Sequence, residues 1–332
     1  MPEFTFITDE NSSITKVQQL IHAITEAIAT GVLQDGDALP SVNKLSKESL
    51  LSRDTVFKAY SLLKQRNVIA STPTKGYFVT GESYKVFVLL DDFSSFKEQL
   101  YNSFRKNLPE TYSVDLVFHH YNKDVFESLI LGGLGRYSMY VVMNFTNKKI
   151  EDVVRKIDPA KLLILDMGKV EKDEFAYICQ DFNRSVYKCL AESAPLLKKY
   201  NEFVLVYPQK QIAHPDDIVK AFNRFCADYN IRGIIVSSIE ESDVCAGTAY
   251  WVIKDIHMVK VVKGCRAKGL NPGTEVGILA YNDAPMKEII DKGITVITSD
   301  FEEMGLRAAE YVQNKEKICK ILDAKLIIRG SL

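Results

Sequence analysis

The sequence predicts a small α+β unit of three helices and a hairpin, followed by a larger α/β unit built on parallel sheets. Helically spaced apolar residues and one turn-linked pair of short β-like runs fill the first eighty residues. Beyond them, continuous apolar runs alternate with helix-like segments. The length of 332 residues, at roughly 150 per domain, also calls for about two domains. With 46% hydrophobic and 26% charged residues the chain has ordinary globular composition, which excludes disordered and collagen-like proteins. The formal net charge of -1 draws it to neither nucleic acid nor membrane, so any basic surface must be local.

The elements follow in order. Val17, Leu20, Ile21, Ile24 and Ile28 recur at helical spacing, predicting a helix from about Thr15 to Thr30 that stops at Gly31. Asp35-Gly36-Asp37 reads as a turn. A short helix starts after Pro40-Ser41 with Val42 and Leu45 inward. A third begins at Ser52, a good N-cap, and buries Val56, Ala59, Tyr60 and Leu63. The hairpin runs through 68–72 and 77–80, with Gly76 at its tip free to take positive φ. Two short helices joined by a tight turn and followed by a hairpin make a winged helix-turn-helix. Over residues 40–76 the bases exceed the acids by five charges. The third helix exposes Arg53, Asp54, Phe57 and Lys58, with Thr55 near its start. Such side chains suit guanine edges and phosphates, although charges of this kind also simply solvate a helix.

The ordered set Leu39-Pro40-Ser41, Leu45, Ser52-Arg53, Thr55-Val56, Ala59, Leu62 and Gly76-x-Phe78-Val79 resembles the GntR family of bacterial winged-helix regulators. The resemblance implies that Arg53 reads a base edge, that Ser52 and Thr55 hold phosphates, and that Gly76 enters the minor groove. Ser41, Lys58 and Lys75 join this DNA-binding set. Asn43 stands where the family usually has Arg, and Asn reads adenine or holds a phosphate. For Phe57 two readings stay open, a thymine methyl or packing on the wing.

Gly81-Glu82-Ser83 forms a polar joint, which sets the divisions at 1–80, 81–83 and 84–332. Strand-like runs lie at 86–90, 114–118, 139–143, 162–165, 203–207, 232–236, 249–253, 276–280, 294–298 and 326–328. That number exceeds one small sheet, and two lobes with a cleft between them fit better. Ligands then bind at the carboxyl ends of the strands. The segment Gly269 to Val276, the strand Gly277 to Asp283, the run Ile294 to Phe301, and the ending Arg329-Gly330-Ser331 are similar to the effector domain of LacI-type repressors. That domain is related to periplasmic sugar-binding proteins. The segment Glu240–Gly247 is too short for the helix usual there. A GntR-type head on a LacI-type sensor resembles the arabinose-responsive repressors, and fucose-operon repressors are a second comparison.

A sugar cleft needs polar groups for hydroxyls and aromatic faces for the ring. Strand-end positions supply Asp92, Ser94, Phe96, His120, Tyr121 and Asn144. By the resemblance Asp181 is the acidic residue ahead of the next helix, Lys254-Asp255 falls on the family's Asn-Asp pair, and Asn282-Asp283 on its Asp-Asp pair. Trp251 completes the effector set. Each has a plainer reading: Asp91 or Asp92 capping the helix near Ser94, Asp181 capping the helix from Asn183, and Trp251 and Tyr281 as core.

No G-x-G-x-x-G after a first strand, P-loop or nucleophile elbow occurs. Gly132-Gly133-Leu134-Gly135 reads as a helix terminator. The five histidines and six cysteines are scattered, so no metal, disulfide or cofactor is expected, only buried free thiols in a reducing cytosol. The N-terminus lacks an export signal, and the longest apolar runs fall short of the ~20 residues of a spanning helix. The sequence thus predicts a cytoplasmic, non-enzymatic, homodimeric repressor that binds a palindromic operator and releases it to a small sugar. A GntR-headed enzyme and a sugar-binding protein without DNA function are the competing readings.

Overall fold

A computed structural model describes residues 4, 6–9, 12, 14–65, 68–80, 84–144, 148–166, 175–208 and 216–332. The expected joint at 81–83 lies outside the described residues. The head comprises α1 (Lys16–Ala29), α2 (Val42–Ser49), α3 (Arg53–Gln65), β1 (Ile69–Thr72) and β2 (Gly76–Val79). Thr15 and Gln18 form a capping box that starts α1, and Ser41 caps α2 through the Lys44 amide. Leu20, Ile21 and Ile24 from α1 meet Leu45, Val56, Ala59, Tyr60 and Leu63 in one buried core. The Tyr60 hydroxyl donates to Pro40 O at 2.8 Å and so fixes α3 against the entry to α2. β1 and β2 pair antiparallel, with Thr72 opposite Gly76.

The first lobe opens with β3 (Tyr84–Leu90), α4 (Ser95–Lys106), β4 (Tyr112–Phe118) and α5 (Lys123–Gly133). It continues through β5 (Met139–Val142), α6 (Lys148–Val154), β6 (Leu162–Asp166) and β7 (Ala176–Gln180). The second lobe takes α7 (Arg184–Leu197), β8 (Glu202–Val206), α8 (Asp217–Tyr229), β9 (Gly233–Val236) and β10 (Thr248–Val252). Then come α9 (Asp255–Lys268), β11 (Val276–Tyr281), α10 (Pro285–Ile289) and β12 (Thr295–Ser299). The chain returns to the first lobe for α11 (Phe301–Asn314) and β13 (Cys319–Leu322), and ends in the second with β14 (Ala324–Ile327).

The first sheet is parallel throughout, in the order β13-β7-β6-β5-β3-β4. The second runs β14-β12-β11-β10-β8-β9, with only β14 antiparallel. Central strands such as β5, β10 and β11 are buried along their whole length, because helices cover both faces. Every strand-like run of the sequence is a strand here. β7 and β13 are additional: β7 mixes Tyr and Gln with apolar residues, and β13 is a partly exposed edge. Between Glu240 and Gly247 only a single 3-10 turn forms. The terminal Arg329-Gly330-Ser331 stitches the second lobe. Ser331 Oγ donates to Ile278 O at 2.7 Å and accepts from Thr295 N at 2.8 Å. Among the cysteines, Cys245 and Cys319 are exposed, not buried as expected: Cys319 lies on the edge strand β13 and Cys245 in the loop ahead of β10. No described helix is long and apolar enough to cross a membrane.

Candidate functional site

Two surfaces concentrate the polar residues singled out by the sequence. On the head, Ser52 Oγ accepts from Thr55 N at 3.1 Å and lies 2.7 Å from Thr55 Oγ1, so this pair starts α3. Arg53, Phe57 and Lys58 stand exposed along that helix, and Phe57 is 57% exposed. Asn43 is exposed on α2, and Ser41 is exposed at its cap. Lys75 lies over the Phe78 ring at 4.5 Å. Gly76 has φ +70° with nothing within 4 Å of where a Cβ would stand. Backbone conformation, not crowding, therefore demands glycine at the wing tip.

The second surface is a cleft of about 500 Å³ where the carboxyl ends of strands from both lobes converge. The first lobe supplies Asp91, Asp92, Ser94, Phe96, Lys97, His120, Tyr121, Asp166 and Gln180. The second supplies Ile253, Lys254, Asp255, Ile256, Tyr281 and Asn282. A volume of that order falls in the range of small-molecule sites.

The floor is a buried charge cluster. Lys97 Nζ donates to Asp91 Oδ1 and, at 2.6 Å, to Asp92 Oδ1. The Tyr121 hydroxyl donates to Asp91 Oδ2 at 2.5 Å. Burial pushes the Asp91 carboxyl up, but the Lys97 ammonium and the bonds from Lys97 and Tyr121 hold it below the usual carboxylate range. Burial disfavours the Lys97 charge, yet Asp91, Asp166 and Asp92 raise its pKa above the ordinary value. Asp166 is fully enclosed, and burial lifts its carboxyl to about 6 despite nearby Lys97. Its Oδ1 accepts from Gln180 Nε2, and Gln180 Oε1 accepts from Ser299 Oγ at 2.7 Å. This chain of bonds joins β6 to β12 across the lobe boundary. His119 lies beneath the cleft: its Nδ1 accepts from Tyr121 N at 3.1 Å, which leaves Nε2 to donate to Met143 O at 3.0 Å. Burial lowers its pKa, in keeping with a neutral ring.

Backbone conformation marks the same place. His120 (φ 48°), Tyr121 (φ 56°), Asp166 (φ 65°) and Asn282 (φ 58°) are all left-handed, and all line the cleft. Such residues persist where the surroundings over-determine them, and they cluster at functional sites. The Asn282 oxygen and Ser94 Oγ are buried without a hydrogen-bond partner among the described residues. Unpaired groups of this kind are costly until a ligand satisfies them. Across the cleft, Asp255 lies 2.9 Å from Lys287, which also donates to the carbonyls of Tyr281 and Asn282.

The cleft thus gathers Asp92, Ser94, Phe96, His120, Tyr121, Lys254, Asp255 and Asn282 from the expected effector set. Four others stand elsewhere. Trp251 is fully buried in the second-lobe core beside Phe203 and Phe222, because it points off the face of a central strand. Asp181 accepts from the amides of Asn183, Arg184 and Ser185, so it is spent starting α7. Asp283 holds Arg329 through two bonds of 2.9 and 2.8 Å. Asn144 is buried outside the cleft lining. Asp91 and Asp92 bond Lys97 and do not cap α4. Lys97, Asp166, Gln180, Ile253 and Ile256 line the cleft outside the expected set, and Tyr281, which reads as core, lines it too. Asp166 directly follows an apolar run, so the strand-end rule would have found it. Lys97 sits in the first turn of α4, where a lysine reads as a solvated face.

The family described as "Bacterial regulatory proteins, gntR family" matches residues 16–79. The HTH-type transcriptional repressor YtrA of Bacillus subtilis is 30% identical over 92 residues, 28% of this chain and 70% of that protein. The uncharacterized HTH-type transcriptional regulator YdcR of Escherichia coli is 39% identical over 71 residues, 21% of this chain. The match spans only 15% of that relative's length. Among solved structures, a LacI family transcriptional regulator from Enterococcus faecium with bound ribose superposes at TM-score 0.60 and 18% identity. The superposition covers 74% of this chain and 98% of that one, and at this identity it shows the fold alone.

Proposed function

We propose that this chain, which belongs to the gntR family of bacterial regulatory proteins, is a sugar-responsive repressor of a carbohydrate-utilisation operon. The observation that carries the reading is the interlobe cleft. Strained strand-end residues from both lobes converge there with buried polar atoms awaiting partners, on the chain that also bears the helix-turn-helix. The ribose in the superposed regulator supports a monosaccharide of similar size. L-arabinose and L-fucose are the first candidates.

In this reading a cytoplasmic homodimer sets two copies of α3 in successive major grooves of a pseudo-palindrome. Arg53 reads a base edge, Asn43, Phe57 and Lys58 flank it, and Ser41, Ser52, Thr55 and Lys75 contact the backbone. Gly76 brings the wing into the minor groove. Sugar binds the closed cleft better than the open one, so it biases lobe closure and the spacing of the heads. Coupling of ~1–3 kcal/mol weakens operator binding by ~5–150-fold.

The test is a gel-shift titration of DNA from its own and neighbouring transport promoters, with and without each sugar. We expect a shifted complex that a sugar dissolves. Absence of any bound fragment at low salt overturns the assignment.

A further inference from the structure

A short, stiff helix, α5, runs from the cleft to the seat of the head. β4 leads directly into His119, His120 and Tyr121, the last two left-handed and lining the cleft. The next residue, Asn122, caps α5 by accepting from the amides of Asp124 at 3.0 Å and Val125 at 3.2 Å. A cleft residue and the first turn of α5 are therefore consecutive. The helix has 11 residues, about 16 Å of rise, with Phe126 and Ile130 fully buried against the sheet.

The far end of α5 is held from both sides. Tyr140 donates to Gly133 O at 2.7 Å, and Tyr137 donates to Asp115 at 2.7 Å, so the 133–137 turn is anchored to the lobe. From the head, Gln18 Nε2 donates to Leu134 O at 2.9 Å. Gly135 (φ +73°) lies so close beneath α1 that a Cβ there would stand 2.9 Å from the Gln18 side chain and 3.0 Å from the His22 ring. Lys161 adds a second point of contact, 3.9 Å from Glu26 of α1. On its other face α1 shares the head core with α3, so a displacement of α1 carries α3 with it.

We propose that α5 is a rod through which the state of the cleft sets the position of the DNA-reading head, with Gln18 and Gly135 as its positioning residues. The proposal rests on the sensor function above. A ligand that moves the strained His120–Tyr121 turn moves the cap of α5, and the helix delivers that motion to the seat of α1. An element with two discrete arrangements, biased from both ends, is what coupling between distant sites requires.

The experiment is a double-mutant cycle in the full chain, read by hydrogen exchange of the α1 amides. Tyr121→Phe removes the bond to Asp91 at the cleft end, and Gly135→Ala crowds Gln18 at the head end. Substitutions more than ~10 Å apart without shared partners act independently. We expect the double variant to depart from the product of the single effects on exchange by threefold or more. A simple product overturns the proposal, and Gln18→Ala replaces Gly135→Ala if that variant does not fold. Operator binding with L-arabinose and L-fucose is measured on the same proteins. We expect Gly135→Ala to keep sugar binding and lose the sugar response, and an undiminished response overturns the rod. If the unsubstituted chain responds to neither sugar, the choice of sugars fails while the exchange cycle still decides the coupling.

Discussion

Asp166→Asn tests the electrostatics of the cleft floor. Asp166 is fully enclosed, and burial lifts its pKa from an ordinary 3.8 to about 6. As pH rises from about 4 to 6 the unfolded chain has released this proton while the native protein still holds it. Stability therefore falls across that window and levels off above it. Two pH units at about 1.4 kcal/mol each give a cost of about 3 kcal/mol at neutral pH, absent below pH 4. Asparagine keeps an oxygen for Gln180 Nε2 and tolerates the φ of 65° at this position. It carries no charge to desolvate. Thermal unfolding of the unliganded variant should show a gain of roughly 6–12 °C at pH 8, at about 2–4 °C per kcal/mol, in the transition that melts the first lobe. At pH 4 the gain should vanish. An equal shift at both pH values, or a loss of stability at pH 8, refutes the reasoning.

Other substitutions separate the surfaces. Arg53→Ala should cost ~1–3 kcal/mol on operator DNA and relax base preference, measured by competition with mutated sites; unchanged discrimination removes Arg53 from base reading. Asp255→Asn should weaken sugar binding tenfold or more in calorimetry and leave operator affinity intact, and loss of both indicates misfolding. Asp283→Ala strips partly buried Arg329 of its two-bond partner and leaves it the Ile294 carbonyl, a change worth ~1–3 kcal/mol of stability. The melting point should fall while the folded protein keeps its sugar affinity; a normal melting point with lost sugar binding would return Asp283 to the ligand site.

The expected and observed sites differ along a clear line. Ser41, Ser52 and Gly76 stand where local signals place them, because capping and turn geometry depend on neighbours within a few residues. Asp181 and Asp283 rested on the family resemblance; Asp181 instead starts α7 and Trp251 lies in the core, the plainer readings the sequence also offered, while Asp283 is taken by a partner. Asp283 is matched with Arg329, far along the chain, and no spacing near either residue announces that pair. The strand-end rule brought Asp92, His120 and Tyr121 to the cleft, because a parallel sheet delivers all its carboxyl ends to one edge, and the family resemblance brought Asp255 and Asn282.

The sequence alone therefore determined most of the elements: helix stripes, caps, the wing turn and the apolar runs that become buried strands are all periodic or local patterns, which the mixed strand β7 and the edge strand β13 lack. Tertiary structure alone decided the order of the two sheets, the enclosure of Asp166 with Lys97 and Gln180, and the seat of α1 on Gly135. Pairing order, burial and charge environment belong to neighbours brought together from distant parts of the chain, so no window of sequence contains them.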